Sequence, residues 1–177
     1  MKIYLLAGKA RSGKDTVSQM IDEIYKEKNK KVVNIQITSH IKQYAKKITN
    51  WDGSDETKPR QLLQDLGTNI IRKQIDELFF VNRLIQDIKV YSHYFDVITV
   101  SDVREKKEII GPRNNFNVIA VRVNRPNFDN GLSEEQKKHF TEVDLDDFND
   151  FDYEIINDGS LEDLKNKVRK MVDFYES

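Results

Sequence analysis

Gly8-Lys9-Ala10-Arg11-Ser12-Gly13-Lys14-Asp15-Thr16 sets two glycines around a short polar turn and follows them with a lysine, a carboxylate and a hydroxyl. Glycines at that spacing let successive backbone N–H groups turn inward around phosphate oxygens. The helix that follows points its positive end at the same charge, and the lysine reaches the β/γ-phosphates of a nucleoside triphosphate. The segment therefore reads as a phosphate-binding loop, with Gly8, Arg11, Ser12, Gly13, Lys14, Asp15 and Thr16 as ATP-binding residues and Lys14 as a catalytic cation. Its match to G-x-x-x-x-G-K-[ST] is incomplete, because Asp15 stands where the magnesium-binding hydroxyl is expected and Thr16 comes one place later. Adjacent residues on a first helical turn point about 100° apart, so only one of the two is expected to face the phosphates, and Thr16 is assigned to magnesium. A chance match, or a loop that has lost its ligand, is the alternative. The apolar run Ile3 to Ala7 before the loop and the helical pattern after it argue against that.

Further candidates stand just past the apolar runs, where ligands sit in open parallel sheets. Val97-Ile98-Thr99-Val100-Ser101 delivers Asp102-Val103-Arg104. That places a carboxylate able to order magnesium through water and, two residues on, a cation for transferred charge. A helix cap and a surface arginine would look the same. Arg122 lies near the end of the next run and Arg125 follows in Asn124-Arg125-Pro126; a phosphoryl group in transfer carries charge on three oxygens, so Arg125 is read as a catalytic cation, with an exposed loop arginine as the alternative. Asn157-Asp158-Gly159 forms a turn whose backbone can face an adenine, which makes Asn157 an ATP-binding candidate, although alone it is a helix N-cap signal.

For a second, anionic substrate the candidates are Ser39, Lys42, Arg60, Gln64 and Arg72. Arg60 and Gln64 share a helix face and can jointly hold a monophosphate and a base edge. Trp51 reads as an aromatic anchor for its loop more than as a base platform. His40, His93 and His139 lack metal-ligand spacing and a matched nucleophile. The acidic run Asp144, Asp146, Asp147, Asp150, Asp152 fails as a calcium loop, since Asn149 stands where glycine is needed and Ile155 where glutamate is needed, and it reads as a solvated segment.

These residues need a scaffold of alternating strands and helices. Apolar, β-branched runs place strands at Lys2–Ala7, Lys31–Thr38, Asp96–Ser101, Asn117–Val123 and Tyr153–Asn157. Helices are expected from Asp15 to about Lys28, after Ser39, after Pro59 with Leu62, Leu63, Leu66, Ile70 and Ile71 inward, from about Asp76 to Tyr91, and from Ser160 to Tyr175. The fold class is α/β, a three-layer P-loop NTPase arrangement with a mostly parallel five-stranded sheet and helices on both faces. The 177 residues suit a single domain, 1–177, with an acceptor-side loop at about 50–58 and a lid-like segment at about 124–139. Lys plus Arg (29) nearly balance Asp plus Glu (30), which gives no field favouring nucleic acid or an anionic membrane. The absence of cysteine removes disulfides, thiolate metal sites and thiol nucleophiles. No apolar stretch at Met1-Lys2 is long enough for a signal peptide or span, so a cytoplasmic location is expected.

Taken together, the loop, Lys58-Pro59-Arg60-Gln61-Leu62-Leu63-Gln64-Asp65-Leu66-Gly67-Thr68 and Arg72 resemble the phage-type deoxynucleoside monophosphate kinases. Their relatives the P-loop phosphomevalonate kinases share the Ser-Gly-Lys-Asp loop, and the Gly-Lys-x-Thr ending is also that of adenylate-kinase-like enzymes. The likeness continues through Asp102-Val103-Arg104 with Glu108, Arg125-Pro126, His139-Phe140-Thr141-Glu142 and Asn157-Asp158-Gly159. It implies a P-loop-kinase sheet, ATP with Mg2+ as donor, and a small-molecule monophosphate acceptor over the second and third helices. The expected function is transfer of the γ-phosphoryl group to a (deoxy)nucleoside monophosphate by a monomer or homodimer. A kinase of another phosphate ester, of the phosphomevalonate or dephospho-coenzyme A type, and a non-catalytic nucleotide-binding switch remain open.

Overall fold

The computed structural model describes residues 1–54, 56–133, 137–138 and 140–176. Five strands form one sheet in the order β2-β3-β1-β4-β5: β1 (Lys2–Ala7), β2 (Val32–Ile35), β3 (Val97–Val103), β4 (Ile119–Asn124) and β5 (Tyr153–Ile156). Every pairing is parallel, so the expectation of a mostly parallel sheet sharpens to a wholly parallel one. Alternation along β1 explains the layers. Ile3, Leu5 and Ala7 face one core with Ile98, Val100, Ile41, Phe80, Leu84 and Ile88. Tyr4 and Leu6 face the other, packed on Val17, Ile21 and Ile24 of α1 (Lys14–Glu27) and on Leu164, Val168 and Met171 of the last helix, α6 (Leu161–Glu176). A strand buried on both faces reads as a continuous apolar run, which is why β1 was legible.

The first core is roofed by α2 (Ser39–Thr49), α3 (Arg60–Gln64), α4 (Phe79–Tyr91) and α5 (Lys107–Arg113). Trp51 is buried there and its indole N–H donates to Ser54 O at 2.9 Å, the anchoring role expected for it. The helix after Pro59 departs from expectation. It is α-helical only to Gln64 and continues as a π-helix over Asp65–Ile75. With i→i+5 bonding the inward face runs Leu66, Gly67, Ile71, and Ile70 is left exposed. Strand β2 ends at Ile35, short of the expected Thr38, because the Ile37 and Thr38 N–H groups turn to the Asp102 carboxylate at 2.8 and 3.0 Å. Conversely β3 runs on to Val103, so Asp102 lies within the strand.

Candidate active site

β1 sits at the centre of the sheet, with the chain running from it to β2 on one side and later crossing from β3 past it to β4 on the other, so its carboxyl end opens on the crevice where ligands bind in such sheets. The phosphate-binding loop turns at that end. Gly8 (φ 153°) lies so close to β4 that an added Cβ would come within 2.3 Å of Val123 O; Gly13 (φ 103°) starts α1 in the left-handed region. Lys14 is 6% exposed, and its ammonium donates to Gly8 O and Lys9 O, each at 2.8 Å. Burial, and then the nearby Arg104 charge, bring its pKa down to about 7. An arriving phosphate would favour the charged form again.

A hollow of about 650 Å³ opens beside Lys14. One wall is the loop and the start of α1, and both Asp15 and Thr16 line it. The opposite wall carries Lys42, Lys58 and Gln64, while Asp102, Arg104 and Arg125 line the space between. Lys42 Nζ donates to Gln36 Oε1 at 2.9 Å, which fixes the ammonium at the hollow. Asp102 spans the β2–α2 turn, accepting from Ile37 N, Thr38 N and Thr38 Oγ1 (2.8 Å). Arg125 is stacked on Phe128 at 3.7 Å.

Several expectations need correction. Arg60 is exposed and does not line this hollow; Lys58, two residues earlier and before the helix begins, does. Ser39 starts α2 but lies outside the lining. Arg72 points into the protein, its guanidinium 2.7 Å from Glu105 and 3.4 Å from Glu108 and stacked on Phe80 at 4.7 Å, because the π-turn rotates it toward α5. Its other edge borders a separate hollow of about 690 Å³ that also touches Gln64, Asn69 and Lys107. Asn157 buttresses the loop: its amide donates to Ser12 O at 2.9 Å and fills the space beside Gly13.

Other residues matter to which the sequence reading gave no role in the site. Glu108 is fully buried and accepts from the backbone N–H groups of Arg104 (2.8 Å) and Glu105 (3.1 Å), fixing the turn that aims Arg104. Burial, with repulsion from Glu105, pushes its pKa up to about 8. The acidic run is solvent-exposed, as expected, and is also paired at the surface: Asp146 meets Lys9 at 3.0 Å, Asp147 meets Lys106 at 2.7 Å, and Asp150 and Asp152 grip Arg113 at 2.6 Å each. Glu142, on a short helical turn (Phe140–Val143), accepts from Ala10 N at 3.0 Å and ion-pairs with Arg104. The signal available was an acidic residue at nearly every other position after 142, matched by Lys9, Lys106 and Arg113. His139 and part of the 124–139 segment, like Asp55 in the 50–58 loop, lie outside the described residues.

Comparison with known proteins adds to this geometry. The family model for deoxynucleotide monophosphate kinase matches residues 24–168. The chain belongs to that family. The matched span begins after the phosphate-binding loop, so the loop is a separate observation that agrees with it. Among relatives, the deoxynucleotide monophosphate kinase of Enterobacteria phage T4 is 30% identical over 116 residues, covering 65% of this chain and 45% of the phage protein. That of Escherichia phage RB69 is 30% identical over 120 residues, covering 67% and 46%. The matched stretch thus spans less than half of each relative. The APS kinase of Mycobacterium tuberculosis in complex with AMPPNP and APS superposes with a TM-score of 0.59 at 13% identity, covering 99% of this chain and 98% of that one. For shikimate kinase from Aquifex aeolicus the TM-score is 0.55 at 14% identity, with 99% and 98% covered. These likenesses show the three-layer α/β P-loop fold. No helix among the described residues is long and apolar enough to cross a membrane.

Proposed function

We propose that this chain is an ATP-dependent kinase that transfers the γ-phosphoryl group to a (deoxy)nucleoside monophosphate. The observation that carries the reading is the single hollow with the phosphate-binding loop on one wall, Lys42, Lys58 and Gln64 on the other, and two arginines between. Such a space suits two anions meeting end to end. An acceptor phosphate oxygen is already nucleophilic, so no general base is needed, and positioning with charge neutralisation accounts for the catalysis. The acceptor oxygen forms a bond to the γ-phosphorus as the bond to the β–γ bridging oxygen breaks, and ADP leaves with that electron pair.

In this scheme the loop amides and Lys14 hold the β/γ-phosphates. Arg104 and Arg125 meet the charge on the transferred group. Lys42, Lys58 and Gln64 hold the acceptor, and Arg72 reaches it only from the neighbouring hollow. The donor set also fits magnesium. The Thr16 hydroxyl and the Asp15 and Asp102 carboxylates line one space, while no group of three or more acidic or histidine side chains among the described residues forms a closed cage. That is the open arrangement magnesium prefers when it keeps waters and phosphate oxygens as ligands. Bound there, the ion would neutralise charge on the phosphates. Segment 50–58 is assigned to the acceptor side and Arg125, at the start of 124–139, to a lid.

An ADP-release screen across the common nucleoside and deoxynucleoside monophosphates, with phosphomevalonate and dephospho-coenzyme A included, tests the reading. Turnover with at least one nucleoside monophosphate is expected. Release dependent only on another phosphate ester would move the acceptor assignment, and ATP binding with no acceptor-dependent release would leave a nucleotide switch.

A further inference from the structure

We propose that Glu142 occupies the γ-phosphate position of the nucleotide-free site and thereby sets how the site discriminates a nucleoside triphosphate from a diphosphate. The inference rests on the kinase reading above. Backbone amides close to the helix start cradle the inner phosphates of a nucleotide in such a loop, and the loop lysine serves the outer ones. Lys14 Nζ sits on the carbonyls of Gly8 and Lys9, so the next amide, Ala10 N–H, lies at the outer end of the cradle. That amide is taken by Glu142 Oε2 at 3.0 Å, and the other carboxylate oxygen pairs with Arg104, the cation aimed at transferred charge. The carboxylate is thus held as a phosphate oxygen would be, between a loop amide and an arginine.

Burial makes this contact consequential. The Glu142 side chain is only 11% exposed, and it lines a small cavity of about 140 Å³ that shares Arg104 and Arg125 with the larger hollow. A third phosphate entering that corner meets like charge in a medium that screens it poorly, so the two cannot share Ala10 N–H and Arg104. A diphosphate ends one group short and can bind with Glu142 in place. The residue would hold Arg104 and the loop ready, at the cost of affinity for ATP relative to ADP.

Calorimetric titration of the full chain with ADP and with AMPPNP, magnesium present, compares wild type with Glu142→Gln, which keeps the shape and loses the charge. AMPPNP should tighten about tenfold, equivalent to about 1.4 kcal/mol, with ADP changed less than about twofold. Glu142→Asp, too short to span both partners, should shift the ratio the same way and serves if the glutamine variant fails to melt cooperatively. An unchanged ratio, an equal shift of both ligands, or weaker AMPPNP overturns the proposal. If wild type transfers phosphoryl groups and the ratio still does not respond, this inference alone fails; if wild type binds neither nucleotide, the kinase reading falls with it.

Discussion

The two walls of the hollow are built on different principles. The proposed donor wall comes from one stretch of chain, Arg11 with Gly13 to Thr16 of the phosphate-binding loop, whose shape follows from glycine backbone freedom and from a helix that begins at Lys14. The proposed acceptor wall is assembled from Lys42 on α2, Lys58 in a loop and Gln64 where an α-helix becomes a π-helix. A contiguous site keeps its geometry if the loop keeps its length. An assembled site depends on how several elements pack, so substrate choice on that wall can change without touching the phosphate chemistry.

The largest effect should come from the donor wall. Lys14→Ala removes a preorganised cation at the transferred group and should lower kcat/KM on the order of 10²–10³, measured by coupled ADP release. Activity near wild type would end the comparison, since the contiguous wall would then hold no chemistry. Lys42→Ala tests the other side. Losing one charged hydrogen-bonding partner costs about 1.5–3 kcal/mol, so the acceptor KM should rise about 10- to 100-fold with the ATP KM nearly constant. Arg60→Ala, by contrast, should move neither constant; a large acceptor effect there would put Arg60, not Lys58, on the wall. Thr16→Val keeps the side-chain volume and deletes the hydroxyl. It should raise the magnesium concentration needed for half-maximal rate about tenfold, the loss of one ligand's worth of hydrogen-bond-scale energy. An unchanged magnesium requirement would give the metal to Asp15 and Asp102 alone.

The smallest effect concerns the buried turn that joins the walls. Glu108 has a carboxyl pKa raised to about 8, so the folded chain binds more protons there than the unfolded chain between the ordinary carboxylate range and pH 8. Its contribution therefore falls as pH rises through that window. Thermal melts of wild type should lose stability between about pH 5 and pH 8, and Glu108→Gln should flatten that decline. A parallel decline in the variant would show that Glu108 is not the group responsible.

How much of this was legible is clearest in Arg60, Arg72 and Lys58. Sequence spacing placed Arg60 and Gln64 on one helical face, and α3 does carry both. The hollow nevertheless takes Gln64 and leaves Arg60 outside, since which flank of a short helix faces a cavity depends on the packing of α2 beside it. Arg72 was read against an α-helical period. The π-turn broke that period, and the guanidinium went to Glu105 and Glu108.

The sequence by itself determined the central strand, the loop and the first helix, because each is coded by neighbours: an apolar run buried on both faces, glycines at positive φ, and a 3.6-residue period. It also carried the order of strands and helices, hence the α/β class. Only tertiary structure decided which residues line the proposed acceptor wall, the inward turn of Arg72 and the seat of Glu142 on Ala10 N–H. These depend on contacts between residues far apart in the chain, 132 positions in the case of Ala10 and Glu142. No local pattern constrains such a meeting. It follows from how the sheet and its helices pack, where the free energy of burying a charge is recovered only if a partner arrives from elsewhere in the chain.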